Sequence, residues 1–201
     1  TITKEHKLQI QEILKLFGIP FFESVNEADS LCAWLVKNKF GYGVSSEDMD
    51  LLTFNSDILI RGLSSKKKVI EINLKKILEK LELSHNQFID LCILLGSDYC
   101  PTIPRVGYKR ALDIIKKYKN IEIFLENEST KYNIPKNFNY KETREYFISE
   151  SLKDYNLDND DIKMLKPDIN NISYLLTNKY NVSEANTKKY LNVLKNFYDS
   201  L

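Results

Sequence analysis

Ile19-Pro-Phe-Phe-Glu-Ser-Val-Asn-Glu-Ala-Asp-Ser-Leu-Cys-Ala-Trp-Leu-Val-Lys-Asn-Lys-Phe-Gly-Tyr-Gly-Val44 is the stretch that decides the fold class. Ile19–Phe22 and Phe40–Val44 read as short strands, with Pro20 tolerated near a strand's start or edge. Between them, from about Asn26 to Asn38, apolar residues keep a helical period. Strand, helix and strand at this spacing make a parallel βαβ unit, and therefore an α/β fold.

Upstream, Leu8, Ile10, Ile13, Leu14 and Phe17 outline a helix that begins after Thr3 and stops at Gly18. Downstream, Leu59-Ile60 and Val69-Ile-Glu-Ile72 read as two more strands joined by the exposed basic loop Ser64-Ser-Lys66-Lys67-Lys68. From there the pattern is almost entirely helical. Leu74, Ile77, Leu78 and Leu81 form one helix; Ser84 caps a second, carrying Phe88, Leu91, Cys92 and Leu95 to a stop at Gly96. Ala111, Leu112, Ile114 and Ile115 mark another, and the last runs near Glu184 to Tyr198. Residues 126–143 and 153–171, the first rich in Asn and Lys with Pro135, are expected to be surface excursions.

Composition narrows the chemistry. A chain of 201 residues with 43% hydrophobic and 28% charged residues is neither disordered nor a membrane protein, and no apolar run approaches a bilayer span. Its 29 Lys+Arg against 28 Asp+Glu exclude a broadly basic nucleic-acid binder but leave room for a segregated basic face. Cys32, Cys92 and Cys100 have no Cys-x-x-Cys spacing and are odd in number, so a reduced, intracellular protein is expected. His6 and His85 give little support to zinc sites or histidine triads. Trp34, amid Leu31, Leu35 and Val36, reads as a packing residue. Beginning at Thr1 instead of Met, the sequence is expected to start at a cut.

Hard carboxylates are the remaining resource, and they stand at element ends: Glu27 and Asp29, Asp48 and Asp50, then Asp98. The first four follow expected parallel strands, where open α/β sheets bind ligands. Each also has an ordinary reading, as acids of a first helical turn, as turn residues, or as an N-cap. Gathered on one rim, they would repel one another by several kcal/mol and require cations, and oxygen-only ligands favour Mg²⁺ or Mn²⁺. Two such ions, about 3.5–4 Å apart, suit phosphodiester hydrolysis.

A second feature joins two helices: Ile103-Pro-Arg-Val-Gly107-Tyr-Lys109-Arg110-Ala-Leu112. Gly107 lets backbone approach, the next helix start offers free N–H groups, and Lys109 with Arg110 adds positive charge for a phosphate backbone. Lys66, Lys67 and Lys68 are a second candidate contact.

These residues resemble the flap endonucleases, among the structure-specific 5′ nucleases. The matching strings are Gly18-Ile-Pro20, Glu27-Ala-Asp29, Ser46-Glu-Asp-Met-Asp50 with Leu52-Thr-Phe54, and above all Phe88-Ile-Asp-Leu-Cys-Ile-Leu-Leu-Gly-Ser-Asp-Tyr-Cys100, followed by Val106-Gly107 and Lys109-Arg110-Ala111. The resemblance implies that Glu27, Asp29, Asp48, Asp50 and Asp98 are catalytic ligands of two Mg²⁺ or Mn²⁺ ions, with Asp29 standing where Glu is usual. It further implies a helix-two-turn-helix hairpin at about 96–118 that grips duplex DNA with a K⁺ ion. Thr102, Ile103 and Val106 match the potassium ligands, and Pro104-Arg105 stands where Arg-Gly is usual. Gly107, Lys109 and Arg110 would contact DNA.

The expected architecture is the C-terminal part of a parallel-sheet, PIN-like nuclease core over 1–95, then a mostly helical DNA-binding extension over 96–201. The substrate implied is DNA with a 5′ flap, nick or gap, cut in replication and repair, in the nucleus or another DNA replication compartment. The family's first sequence block, with its further aspartates, catalytic Lys and Arg, and helical arch, has no counterpart here, so this chain alone is expected to be inactive and to need that block as a partner. A sliding clamp is a further partner the resemblance allows, although the tail that binds it is not within this sequence. The rival reading is a non-catalytic DNA-binding module or scaffold of the same descent.

Overall fold

In the computed structural model, which describes residues 2–63 and 68–200, Thr3 opens the first helix with a reciprocal cap: its hydroxyl accepts the His6 N–H at 3.3 Å while the His6 ring accepts the Thr3 N–H. Helix α1 (Lys4–Leu16) then stops as expected. Gly18 takes a left-handed φ of 68°, and a Cβ there would stand 2.0 Å from the Leu165 carbonyl oxygen, which leaves glycine as the residue that fits. The Leu165 N–H donates to the Gly18 carbonyl and the Asp168 N–H to the Leu16 carbonyl, both at 2.8 Å.

The chain divides into two compact units: residues up to Glu23 with those from Asn156 onward, and Ser24–Tyr155. In the first, α1 contacts α8 (Ile169–Tyr174), which runs through a π-helical turn at Leu175–Lys179 toward α9 (Glu184–Asp199). Residue 95, the expected boundary, lies inside the second unit.

That second unit holds α2 (Ala28–Lys37), β1 (Val44–Ser45), β2 (Ile58–Arg61), β3 (Ile70–Asn73), α3 (Leu74–Leu81), α4 (His85–Leu95), α5 (Tyr108–Tyr118), α6 (Ile121–Glu128) and α7 (Tyr140–Ser151). The fold is α/β, mostly helical with a small sheet. Strand β1 runs parallel to β2, with Val44 beside Leu59, and β2 runs antiparallel to β3, with Leu59 beside Ile72. The sheet is thus mixed, and smaller than the sequence implied. Ile19–Phe22 joins no strand among the described residues. The strand expected at Phe40–Val44 shrinks to its end because the Lys39 and Phe40 amides close the C-terminus of α2, donating to the Val36 and Leu35 carbonyls.

The expected helix at 184–198 and the Ser84 capping box are both present; the Ser84 hydroxyl accepts the Gln87 N–H at 3.3 Å and Gln87 Oε1 accepts the Ser84 N–H at 2.9 Å. Leu51, Leu52, Phe54, Leu59, Ile89, Ile93, Leu94, Phe124 and Phe147 form the heart of one core under the sheet and helices. Phe147 belongs to α7, a helix that begins inside the stretch expected to be a surface excursion. Its Thr143, Phe147 and Glu150 are all buried, at helical spacing.

Charge secures α7. The Arg144 guanidinium donates to both Asp90 oxygens, at 2.5 and 2.8 Å, and to both Glu122 oxygens, at 2.7 and 2.9 Å. The Ile121 N–H adds a bond to Asp90 at 3.2 Å. Burial pushes the Asp90 carboxyl up, and Arg144 pulls it back; Arg144 holds Glu122 below the usual carboxylate range. Removing one member of such a cluster strands a buried charge. Arg144→Leu is expected to lower the unfolding free energy by about 3 kcal/mol in urea titrations; an unchanged midpoint would show that the cluster does not hold α7.

Candidate functional site

The five acids come from three segments: the start of α2, the loop after β1, and the turn after α4. Glu27 is the N-cap residue of α2 but makes no side-chain capping bond, and Asp29 lies in that helix's first turn. The Asp48 N–H donates to Ser46 Oγ at 3.0 Å, and Asp48 Oδ1 accepts the Asp50 N–H at 2.9 Å, so this loop folds on its own side chains. Glu47 fastens it to the end of β2 through Arg61 and the Gly62 N–H. Asp50 then opens a 3₁₀ turn, Asp50–Leu52, whose last two residues are in the core. Asp98 sits in the turn after α4 that the Cys100 N–H closes on the Ser97 carbonyl.

These carboxylates lie within electrostatic reach of one another. The Asp50 carboxyl is pushed up to about 6, first by burial and then by Asp48, Asp98 and Asp29. Asp29 is raised by burial, Asp48 and Glu27. Among the described residues, no Lys, Arg or His forms an ion pair with any of the five. The nearby thiols offer no alternative chemistry, since burial and Asp50 push Cys92 up to about 12.

The donor set is all hard oxygen, with Asp29 and Asp50 partly desolvated and no ion-pair partner among the described residues, which fits a hard divalent cation by chemistry. Among the described residues, no three His, Cys, Asp or Glu side chains close around one point in ion-holding geometry.

Tyr99, next to Asp98, is held by α7: its carbonyl accepts Asn139 Nδ2 at 3.1 Å and Thr143 Oγ1 at 3.3 Å, and its ring packs on Tyr146 and Phe147. Trp34 packs as expected, against Phe40 and Tyr155.

The hairpin runs from α4 to α5. Ile103 and Val106 are buried, and the Val106 N–H donates to the Ile103 carbonyl at 3.1 Å, while Thr102 is exposed. Arg105 occupies the left-handed region at φ 69°, so the conformation a glycine would adopt freely is kept by an arginine. Arg110 Nη1 donates to the Arg105 carbonyl at 2.7 Å and steadies that turn. Gly107 is the N-cap of α5, and a Cβ there would meet nothing within 4 Å, so internal packing does not require its smallness.

Gly107, Tyr108, Lys109, Arg110 and Asp113 line an open recess of about 360 Å³ with Arg105. A neighbouring cavity of about 540 Å³ brings in Lys131, Tyr132 and Asn133, which no motif signalled. Lys68 is exposed; Lys66 and Lys67 lie outside the described residues.

Two outcomes follow. Since the folded Asp50 carboxyl titrates near 6, above the ordinary value of about 4, its charge costs stability as pH rises through that window and nothing below it. Asp50→Asn is expected to raise the melting temperature at pH 7 by about 2–4 °C and to leave it unchanged near pH 4; a loss at pH 7 would show the rim is not self-repelling. Arg105→Gly is expected to add about 0.5–1 kcal/mol in guanidinium unfolding by relieving left-handed strain, and destabilisation would contradict that account of the turn.

Comparison with known proteins was consistent with this geometry. Residues 18–98 match the model of the XPG I-region. Flap endonuclease 1 of Drosophila yakuba is 45% identical over 172 residues, covering 83% of this chain and 44% of that protein. The flap endonuclease-1 structure from Methanococcus jannaschii superposes with a TM-score of 0.81 at 24% identity, over 97% of this chain and 58% of that one. A structure of the Holliday junction-resolving enzyme GEN1 with product DNA and a Mg²⁺ ion gives a TM-score of 0.66 at 22% identity, over 88% and 51%. The chain spans about half the length of the curated relatives it matches. Across the region it shares with them, the chain belongs to the flap endonuclease family.

Proposed function

We propose that the protein carrying this chain is a divalent-metal nuclease that hydrolyses DNA phosphodiesters at 5′ flaps and at nicked or gapped duplex, in replication and repair. The observation that carries the reading is a set of five carboxylates with no cationic partner among the described residues, the last of them immediately before a basic hairpin in the chain. A protein that only bound DNA would gain by discarding charges that repel phosphate.

Glu27, Asp29, Asp48, Asp50 and Asp98 would hold two Mg²⁺ or Mn²⁺ ions. Bound there, such ions supply an activated water and stabilise the leaving oxygen. Asp50 sets the centre of the site because it is partly buried and senses three of the other acids. The free N–H groups of α5, with Lys109 and Arg110, would seat one duplex strand by its phosphates, and Lys68 would add a peripheral contact. Thr102 and the Ile103 and Val106 carbonyls are the groups that would take K⁺; the Ile103 carbonyl keeps a second lone pair beyond its bond to Val106. The family's other sequence block, in the same chain or another, would complete the catalytic site. A DNA replication compartment is the matching location.

The rival, a duplex-binding module without catalysis, draws on the absence of an ion-holding triplet among the described residues. Cleavage separates them. In the full-length protein, Asp98→Asn is expected to cut Mg²⁺-dependent cleavage of a 5′-flap duplex by about a hundredfold or more, some 3 kcal/mol, while flap-duplex affinity stays within about threefold. Undiminished cleavage by the variant would end the assignment, and a wild-type protein that binds but never cleaves would support the module.

A further inference from the structure

Helix α7 sends a buried carboxylate to the start of α2, which carries two of the rim acids. Glu150 is 3% exposed. Its Oε1 accepts Asn26 Nδ2 at 2.9 Å, its Oε2 accepts Ser30 Oγ at 3.2 Å, and Lys153 supplies the counter-charge. Asn26 and Ser30 bracket Glu27 and Asp29 in sequence. The same segment is drawn tighter by its own hydroxyls: Ser24 Oγ donates to the Glu27 carbonyl at 3.0 Å, and Ser30 Oγ lies at the same distance from it, its one proton shared between that carbonyl and Glu150. The Tyr155 hydroxyl closes the bracket, 2.7 Å from Ser30 Oγ.

The start of α2 is therefore fixed from outside. A Glu at an N-cap position whose side chain makes no capping bond leaves the first N–H groups of the helix without a side-chain cap. Here that carboxylate is released from capping, and a distant side chain does the fixing. A buried carboxylate is costly unless every partner is in place, so Glu150 tolerates little movement of Asn26 and Ser30. Displacing an acid by a single ångström is enough to weaken a site that depends on several converging groups.

We propose that Glu150 is a positioning residue: through Asn26 and Ser30 it sets where the Glu27 and Asp29 carboxylates stand on the rim. The inference rests on the reading of the rim as a metal site. It assigns to α7 a role beyond packing and gives Asn26, an exposed residue, a function of its own.

The test is Mn²⁺ binding to the full-length protein, followed by electron paramagnetic resonance, with urea unfolding in parallel. Glu150→Ala is expected to weaken Mn²⁺ affinity about tenfold, as loss of a partner behind a ligand does. Glu150→Gln, whose amide oxygen can still accept from Asn26, is expected to recover most of that loss. Asn26→Ala removes the bracket from its exposed end, where water can replace the amide, and is expected to weaken Mn²⁺ binding with a smaller fall in the urea midpoint than Glu150→Ala, which decides the matter if Glu150→Ala does not fold. Wild-type Mn²⁺ affinity in Asn26→Ala and Glu150→Ala, with affinity lost in Asp50→Asn, would overturn the positioning role and leave the metal site standing. Wild-type affinity in Asp50→Asn as well would overturn both.

Discussion

Arg144 ties three helices together through Asp90 and Glu122, and the acid rim depends on where that clamp puts α7. With α7 in place, Asn139 and Thr143 grip the Tyr99 carbonyl beside Asp98, and Glu150 grips the residues around Glu27 and Asp29. One helix thus reaches both sides of the site. The chain uses acids in two opposite ways. Asp90, Glu122 and Glu150 are matched to Arg144 or Lys153, with Glu122 and Glu150 held below the ordinary carboxylate range by those partners against the pull of burial. Asp29 and Asp50 are raised by burial and by neighbouring acids, and neither forms an ion pair among the described residues. A paired acid holds structure, and an unpaired cluster costs stability that a bound cation would return.

Local signals in the sequence proved the most legible. Thr3, Ser84 and Gly18 act where their side chains, or the lack of one, dictate, because a cap or a left-handed turn is settled within a few residues. The five acids stand at or near element ends in the sequence, and the structure brings Asp29, Asp48 and Asp98 within electrostatic reach of Asp50. Two things were not legible. Ile19–Phe22 has the apolar run of a strand, yet a strand needs a neighbour, and its flanking backbone bonds instead with Leu165 and Asp168. The first turn of α7 falls within the 126–143 stretch expected to be surface, and Lys141, Glu142, Arg144 and Glu145 mask the spacing of Thr143, Phe147 and Glu150. Its polar positions turn inward onto charged partners, a tertiary choice that hydrophobic periodicity does not register.

The hairpin shows a similar compensation on a smaller scale. Arg105 holds a backbone conformation that suits glycine, and Arg110 secures it by binding the Arg105 carbonyl. Arg110 therefore commits one of its five donors to the turn.

The measurement that bears most directly on the central claim is anomalous diffraction from crystals of the full-length protein soaked in Mn²⁺. Two peaks among Glu27, Asp29, Asp48, Asp50 and Asp98 are the expected result. A rim without a peak, in crystals where Mn²⁺ binds elsewhere, would contradict it.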